Sequence, residues 1–424
     1  MSAKIVKRRK GSITIEVTIE IENTMLQSEE AILTAVNEVG ALATGEAIEQ
    51  FDTDGNPIIK NSETWTSKGK KQKVYQSPYG IVAVSRHVYQ SSQGGKTYCP
   101  LEDTARIIVS STPHFARMVS SKYANMPSTQ VQQDLCDNHG RRISRSCLQN
   151  LSEAIGHIVQ EKEEVWHYAL PKLDEPVETV GIGVDGTSML LCQDGYREAM
   201  VGTISFYNKQ GERQHTIYLG ATPEYGKATF WERMEREIDQ VKSVYPQATY
   251  VGIADGAKDI WSFLEQHTQR QNLDFYHATG YLKAAAYAAH SRSQPKRSQW
   301  INERCHSLKH DANGASQLLK EMKTFTEKKL SNKIAEQLES SITYFENHIK
   351  KMNYAESIAE NIPIGSGVTE AACKTLVKQR LCQSGMKWLE RGASIVLGLR
   401  TLTQSSGRWK QFWNKISQYG LPVT

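Results

Sequence analysis

Val177-Glu-Thr-Val-Gly-Ile-Gly-Val184 leads directly into Asp185, and Thr187–Cys192 beyond it keeps the same β-rich pattern. Outward from this run, Gln193-Asp-Gly-Tyr196 is a turn and Ala199–Tyr207 reads as a second strand. Asn208-Lys-Gln-Gly211 is another turn and His215–Leu219 a third strand. Tight turns between successive strands predict an antiparallel meander. Phe230, Met234, Ile238 and Val241 recur at helical spacing and predict a helix over Lys227–Val244. Thr249–Ala254 is a short apolar strand ending at Asp255, followed by a helix over Ala257–His267 and a strand over Leu273–Tyr276. The spacing is helical from Ala278 to Glu360, Ile362–Gly367 breaks it, and a last helical stretch runs from Val368 to about Thr403.

Three antiparallel strands, a helix, a strand, a helix and a strand is the element order of an RNase H-like mixed sheet, an α/β fold. In that architecture the first strand lies beside the fourth, so a carboxylate on each can meet at one edge. Asp185 and Asp255 occupy those two places, 70 residues apart. A third acid must come from a helix packed across the sheet, and Glu370, 115 residues further on, is the candidate. The helical stretch before it is too long for a connection and reads as an insertion ahead of the last acid.

Gathered carboxylates repel and raise one another's pKa, and divalent cations remove that cost. Oxygen ligands suit Mg²⁺ or Mn²⁺, and a two-ion site clamps the attacking and leaving oxygens of an in-line phosphoryl displacement. Each acid also has a plainer reading. Asp-Gly at 185–186 and 255–256 is a common turn dipeptide. Glu370 follows Gly365-Ser-Gly367 in a first helical turn, where the helix dipole favours any glutamate. Asp185 is the least ordinary of the three, because an acid inside an apolar strand needs a cation as partner.

The composition, 39% hydrophobic and 23% charged over 424 residues, argues against wholesale disorder. No apolar run reaches the ~18–20 residues of a membrane-spanning helix, so no membrane role is expected. The start, MSAKIVKRRKGSITIE, lacks the apolar stretch of a secretory signal, and seven scattered cysteines without a Cys-x-x-Cys pair fit a reducing cytosol. Charge is unevenly spread. Residues 1–11 carry five bases and no acid, residues 12–54 ten acids and no base, and residues 371–415 nine bases against Glu390 alone. A polyanion-binding surface looks like this, and so do solvated helix faces.

Residues 1–112 form a mixed α+β region. Ile32, Leu33, Val36, Val39 and Ala43 predict an amphipathic helix within Ser28–Gln50, and β-rich runs flank Ser77-Pro-Tyr-Gly80 as a hairpin. Residues 113–170 read as helices: one marked by Phe115, Val119 and Tyr123, one over Thr129–Asn138, and one starting after Ser144. The glycine-containing turn at Gly140 makes the last two resemble a helix-turn-helix, with Arg145, Ser146, Gln149 and Asn150 facing outward where base edges are read. An ordinary helical hairpin fits the same pattern. The catalytic core then spans 171–280, the helical insertion 281–360, and the last part of the core with its basic C-terminal helices 361–424.

Several blocks resemble insertion-sequence transposases of the bacterial DDE type, closest to the Kra-type group. They are Val184-Asp-Gly-Thr187, Ile253-Ala-Asp-Gly-Ala-Lys-Asp-Ile-Trp261, Asp274-Phe-Tyr-His277 and Pro363-Ile-Gly-Ser-Gly-Val-Thr-Glu-Ala-Ala-Cys-Lys374. Arg380-Leu-Cys-Gln-Ser-Gly-Met-Lys-Trp388, Trp409-Lys-Gln-Phe-Trp413 and Gly94-Gly-Lys-Thr-Tyr-Cys-Pro-Leu101 extend the likeness over most of residues 75–415. The resemblance implies an RNase H-like catalytic domain and two Mg²⁺ or Mn²⁺ ions held by Asp185, Asp255 and Glu370. Asp274-x-x-His277 is similar to an element that helps build the site in Mutator-like relatives, which implies a catalytic part for His277; a structural histidine remains the alternative. Only Cys99 stands where some relatives carry paired cysteines, so no zinc knuckle is expected.

Lys374, Lys378 and Arg380 follow Glu370 at helical or near-helical spacing, within reach of phosphates, and Lys387, Arg391, Arg400, Arg408 and Lys410 extend a basic stripe interleaved with Trp388, Trp409 and Trp413. The sequence is therefore read as a DNA transposase that binds terminal inverted repeats and joins them to target double-stranded DNA, as a homo-oligomer on the bacterial nucleoid. A transposase-derived DNA-binding protein without catalysis and an RNase H-like nuclease are the alternatives.

Overall fold

The computed structural model describes residues 3–163 and 165–421. The chain divides into two compact units. One comprises the residues up to Ala169 with Gly398–Thr403 and the chain from Gly407 on; the other comprises Leu170–Leu397 with Gln404–Ser406.

The first unit begins with a two-stranded ribbon, β1 (Ala3–Arg9) and β2 (Ser12–Val17), followed by the long helix α1 (Met25–Glu49). Thr24 caps α1 by accepting a hydrogen bond from the Gln27 N–H. A four-stranded antiparallel sheet follows in the order β3 (Ile58–Lys60), β4 (Glu63–Gln76), β5 (Ile81–Ser91) and β6 (Gly94–Tyr98). Ser77–Gly80 makes the β4–β5 turn, and the Ser77 hydroxyl donates to the Gly80 carbonyl at 2.9 Å. The apolar face expected on α1 is only partly covered: Ile32, Leu33 and Val36 are exposed and Val39 and Ala43 half-buried, while the helix fully buries Ser28, Ala35 and Ile48. Periodicity fixes that a helix has an apolar stripe, but not which stripe the fold covers.

After the short helix α2 (Pro100–Thr104) come α3 (Pro113–Asn125), α4 (Ser128–His139) and α5 (Arg145–Lys162). Gly140 ends α4 with φ +62°, a left-handed conformation that favours glycine. The Ser144 hydroxyl then accepts from the Cys147 N–H and starts α5. In the turn between them Arg141 is buried, donating to the Ser77 carbonyl at 3.1 Å and to Gln76 Oε1 at 2.7 Å.

The second unit is α/β, built on a mixed five-stranded sheet. Its strands are β7 (Thr179–Leu191), β8 (Gly195–Tyr207), β9 (Arg213–Ala221), β10 (Thr249–Ala254) and β11 (Arg270–Leu273), in the spatial order β11-β10-β7-β8-β9. The meander β7-β8-β9 is antiparallel, while β10 runs parallel to β7 and β11 parallel to β10. Two helices, α6 (Ala228–Val244) and α7 (Lys258–His267), connect these strands. Phe230, Met234, Ile238 and Val241 of α6 are all buried against the core with Ile182, Ile204 and Ile217. Each contributes ~1.5–3 kcal/mol by leaving water.

From Asp274 the chain is helical: α8 (Phe275–Gly280), α9 (Leu282–Ala289), α10 (Gln294–His310), α11 (Gly314–Thr324), α12 (Asn332–His348) and α13 (Tyr354–Ala359). The strand expected over Leu273–Tyr276 therefore lies earlier, and Asp274 caps a helix instead. A carboxylate that can accept the His277 N–H offers the backbone a helical start that β-propensity does not weigh. The next helical run starts with α14 (Gly367–Ala372), widens through a π-helical segment (Cys373–Lys378) and ends with α15 (Gln379–Leu381). The expected unbroken helix to Thr403 is interrupted after Leu381; α16 (Glu390–Gln404) and α17 (Arg408–Tyr419) follow. In the gap Gly385 adopts φ +75°, and Trp388 exchanges backbone hydrogen bonds with Leu190 and Cys192 at the end of β7.

No helix among the described residues is long and apolar enough to cross a membrane.

Candidate active site

Sheet register brings the first two acids together. On the parallel pair, Ile253 of β10 stands beside Gly183 of β7, each two residues before an acid, and Asp185 and Asp255 both line the cavity beyond. Asp185 itself is paired across the antiparallel ladder with Val201. Tyr344 of α12 donates to the Asp255 carbonyl at 2.7 Å and holds the Asp255-Gly256 turn, where Gly256 has φ +127°.

Glu370 arrives on α14, which lies against β7 and β8. Contact is close because Gly183 has no side chain. A Cβ there would fall 2.0 Å from Thr369 Oγ1, and the two hydroxyls of Thr203 and Thr369 hydrogen-bond at 2.8 Å in the buried space that remains. The approach of α14 is prepared upstream: Asn272 donates to the Pro363 carbonyl at 2.9 Å, and the Phe275 N–H donates to the Ile364 carbonyl at 3.0 Å.

Asp185, Asp255, Glu370 and His277 all line one cavity of about 700 Å³, together with Ser366, Cys373, Lys374 and Lys378. Burial, reinforced by the negative charges of Asp255 and Glu370, raises the Asp185 carboxyl above the usual carboxylate range, against the pull of hydrogen bonds from the Gly186 N–H at 2.7 Å and the Cys373 thiol at 3.4 Å. Burial and the same carboxylate push the Cys373 thiol up in turn.

The acids share a cavity without closing on one point. Among the described residues no three His, Cys, Asp or Glu side chains are grouped tightly enough to hold a metal ion as they stand. The donor chemistry nevertheless suits a hard divalent cation: three carboxylates, half-buried Asp185 and Asp255 and exposed Glu370, line one space, and the other two raise the cost of the Asp185 charge. Mg²⁺ is bound through one or two carboxylates, with waters and phosphate oxygens completing its shell.

The remaining predicted contacts separate into three groups. Lys374 and Lys378 are exposed and line the cavity; Lys387 and Arg391 are exposed but do not line it. Arg145 is exposed and Gln149 half-buried at the start of α5, in the other unit. Arg380 is corrected: it is 2% exposed, with its guanidinium 5.3 Å from the Trp388 ring, and cannot meet phosphate. Arg400 and Arg408 are buried too, the first donating to the Ala124 carbonyl at 2.7 Å. The basic stripe read from the sequence is therefore partly structural, because a helix followed through a π-turn and two breaks does not keep one face. Trp413 is core, and Trp409 stacks on Phe412.

Ser366 and Gly183 were not singled out in the sequence. A glycine inside a strand pattern, two residues before an acid, signals that another backbone approaches closely. Ser366 carried no such signal, since its hydrogen bond to Asp274 joins residues far apart in the sequence. No family model matches the chain, and no curated protein is similar enough to count as a relative.

Proposed function

We propose that the protein is a DNA transposase of the DDE type, with an RNase H-like catalytic core. The observation that carries this reading is one cavity lined by Asp185 of β7, by Asp255 just past the end of the parallel strand β10 and by Glu370 of a helix lying against β7 and β8, with Lys374 and Lys378 at its edge. The sheet order, a three-stranded meander extended by two parallel strands on the side of β7, supports the RNase H-like assignment.

Asp185, Asp255 and Glu370 would hold Mg²⁺ or Mn²⁺. When bound, the cations supply charge stabilisation for the phosphate and a nucleophilic oxygen near neutral pH. The chain's own groups do the rest. Lys374 and Lys378 draw the DNA backbone to the cavity as phosphate partners without reading sequence. His277 offers an imidazole that can accept or release a proton beside the carboxylates. Two reactions follow at this one site. Water attacks the phosphodiester at the element's end, breaking its bond to the 3′ oxygen and leaving a 3′-hydroxyl and a 5′-phosphate. The 3′-hydroxyl then attacks a target phosphodiester, forming the new bond as the target's own 3′ oxygen leaves. The terminal inverted repeats would be recognised by Arg145 and Gln149 of α5; the exposure of Arg145 supports this.

The test is a strand-transfer assay with the element's own ends in Mg²⁺ and in Mn²⁺. The reading requires cleavage and joining that Asp185→Asn abolishes. Cutting without joining would favour a nuclease, and end binding without either would favour a DNA-binding derivative.

A further inference from the structure

We propose that Ser366 is a positioning residue that links the buried carboxylate of Asp274 to Glu370 and sets where Glu370 stands when a divalent cation is bound. The inference rests on reading the cavity as a divalent-metal site.

Asp274 is wholly buried and does not line the cavity. Its carboxylate ties together two of the elements that carry cavity residues, α8 with His277 and α14 with Glu370. Oδ1 accepts the His277 N–H at the start of α8, and Oδ2 accepts both the N–H of Ser366 at 2.5 Å and its hydroxyl at 2.8 Å. A buried carboxylate is tolerated only when it is satisfied in this way.

Ser366 stands at the N-cap of α14, yet its side chain makes no capping hydrogen bond. Instead the hydroxyl lies within reach of two carboxylates, Asp274 Oδ2 at 2.8 Å and Glu370 Oε1 at 3.1 Å. A hydroxyl has one proton and can donate to only one of them at a time. Donation to Glu370 restrains that side chain. Donation to Asp274 leaves Glu370 free of a competing hydrogen bond, and the Ser366 oxygen still bounds where Glu370 can go. The acid that completes the site is thus placed by a residue that does not itself hold a cation. Outer partners of metal ligands typically alter metal affinity by ~10–100-fold.

Removing the hydroxyl should separate placement from folding. Asp274 keeps its two backbone donors, so α8 and α14 stay tied, while Glu370 loses its restraint. The experiment is a Mn²⁺ titration of the full chain without DNA, read by electron paramagnetic resonance, with metal-free thermal unfolding measured on the same samples. Ser366→Ala and Ser366→Cys, the second nearly matching serine in size with a weak donor, should each weaken Mn²⁺ binding about tenfold. Ser366→Thr, which keeps the hydroxyl, should bind like wild type. Asp185→Asn is the control and should lose binding. If Asp185→Asn binds Mn²⁺ like wild type, the metal-site reading fails and the proposal with it. If Asp185→Asn loses binding while a folded Ser366→Ala or Ser366→Cys stays within twofold of wild type, the metal site stands and the role of Ser366 is overturned.

Discussion

Replacing Gly183 with alanine tests how the third acid is brought to the other two. The backbone at Gly183 lies outside the left-handed region, so alanine meets no conformational penalty there; the only new term is its methyl group. That methyl would lie 2.0 Å from Thr369 Oγ1 and 2.9 Å from Thr203 Oγ1, whereas ordinary contact begins near 3.4 Å. The Thr369 end of α14 must therefore retreat by more than an ångström, and Glu370, the next residue, moves with it. Overpacking of this kind costs ~1–3 kcal/mol. At about 2–4 °C per kcal/mol for a unit of this size, the melting temperature should fall by roughly 2–12 °C. Catalysis should suffer far more, since misplacing a reacting group by an ångström can cost about 100-fold. The assay pairs thermal unfolding with strand cleavage in Mn²⁺. Thr369→Ala added to Gly183→Ala removes the clashing oxygen at the expense of the Thr203–Thr369 hydrogen bond, worth ~1 kcal/mol. The double variant should then be more stable than the sum of the single losses by about 1 kcal/mol. Strict additivity, or a Gly183→Ala protein that melts and cleaves like wild type, would refute the close approach of α14 as the device that delivers Glu370.

Asp185→Asn should abolish cleavage and joining while leaving end binding intact, and in chelator it should melt no lower than wild type, because a buried charge facing two like charges is gone; near-normal cutting in Mg²⁺ would remove Asp185 from the site. Arg145→Ala with Gln149→Ala should erase the preference for the element's own ends over scrambled DNA, each good base contact discriminating by ~1–3 kcal/mol, whereas Lys374→Ala with Lys378→Ala should weaken both equally and flatten the salt dependence. Titrations at two salt concentrations distinguish the pairs. Arg380→Ala should lower thermal stability without changing the salt slope, because its guanidinium is buried against Trp388. In the first unit Glu102 is held below the usual carboxylate range: burial opposes this, but Lys73 at 2.8 Å and the Tyr75 hydroxyl at 2.7 Å prevail. A depressed carboxyl stabilises the fold above its unfolded value near ~4 and loses that contribution as pH falls through its lower folded value. Glu102→Gln should therefore melt below wild type at pH 7, with the gap closing towards pH 2; a constant gap would show that Glu102 contributes nothing through its charge.

The sequence by itself determined the order of elements in the second unit. Alternating or continuous β-rich runs, tight turns at Asp194-Gly195 and Gly211, and the stripe Phe230–Val241 are local signals, and local hydrogen bonding and burial enforce them wherever the chain goes. The same order placed Asp185 on one strand and Asp255 just after another that becomes its neighbour, and this is why their sharing of one cavity was legible. The spacing between them was not: it depends on the register of Ile253 beside Gly183, which side chains on both faces of the sheet fix together. Glu370 was legible as a candidate, but the reason it reaches the cavity lies in Gly183 and in the hydrogen bonds from the Asn272 side chain and the Phe275 N–H that draw Pro363 and Ile364 to the end of β11. The buried fates of Arg380, Arg400 and Arg408 were hidden for the opposite reason. Charge reads as surface in a sequence, and only packing around Trp388, the Ala124 carbonyl and Tyr168 turns it inward. Ser366 was decided by tertiary structure alone, because one hydroxyl becomes a link only when Asp274, 92 residues earlier, is folded against it.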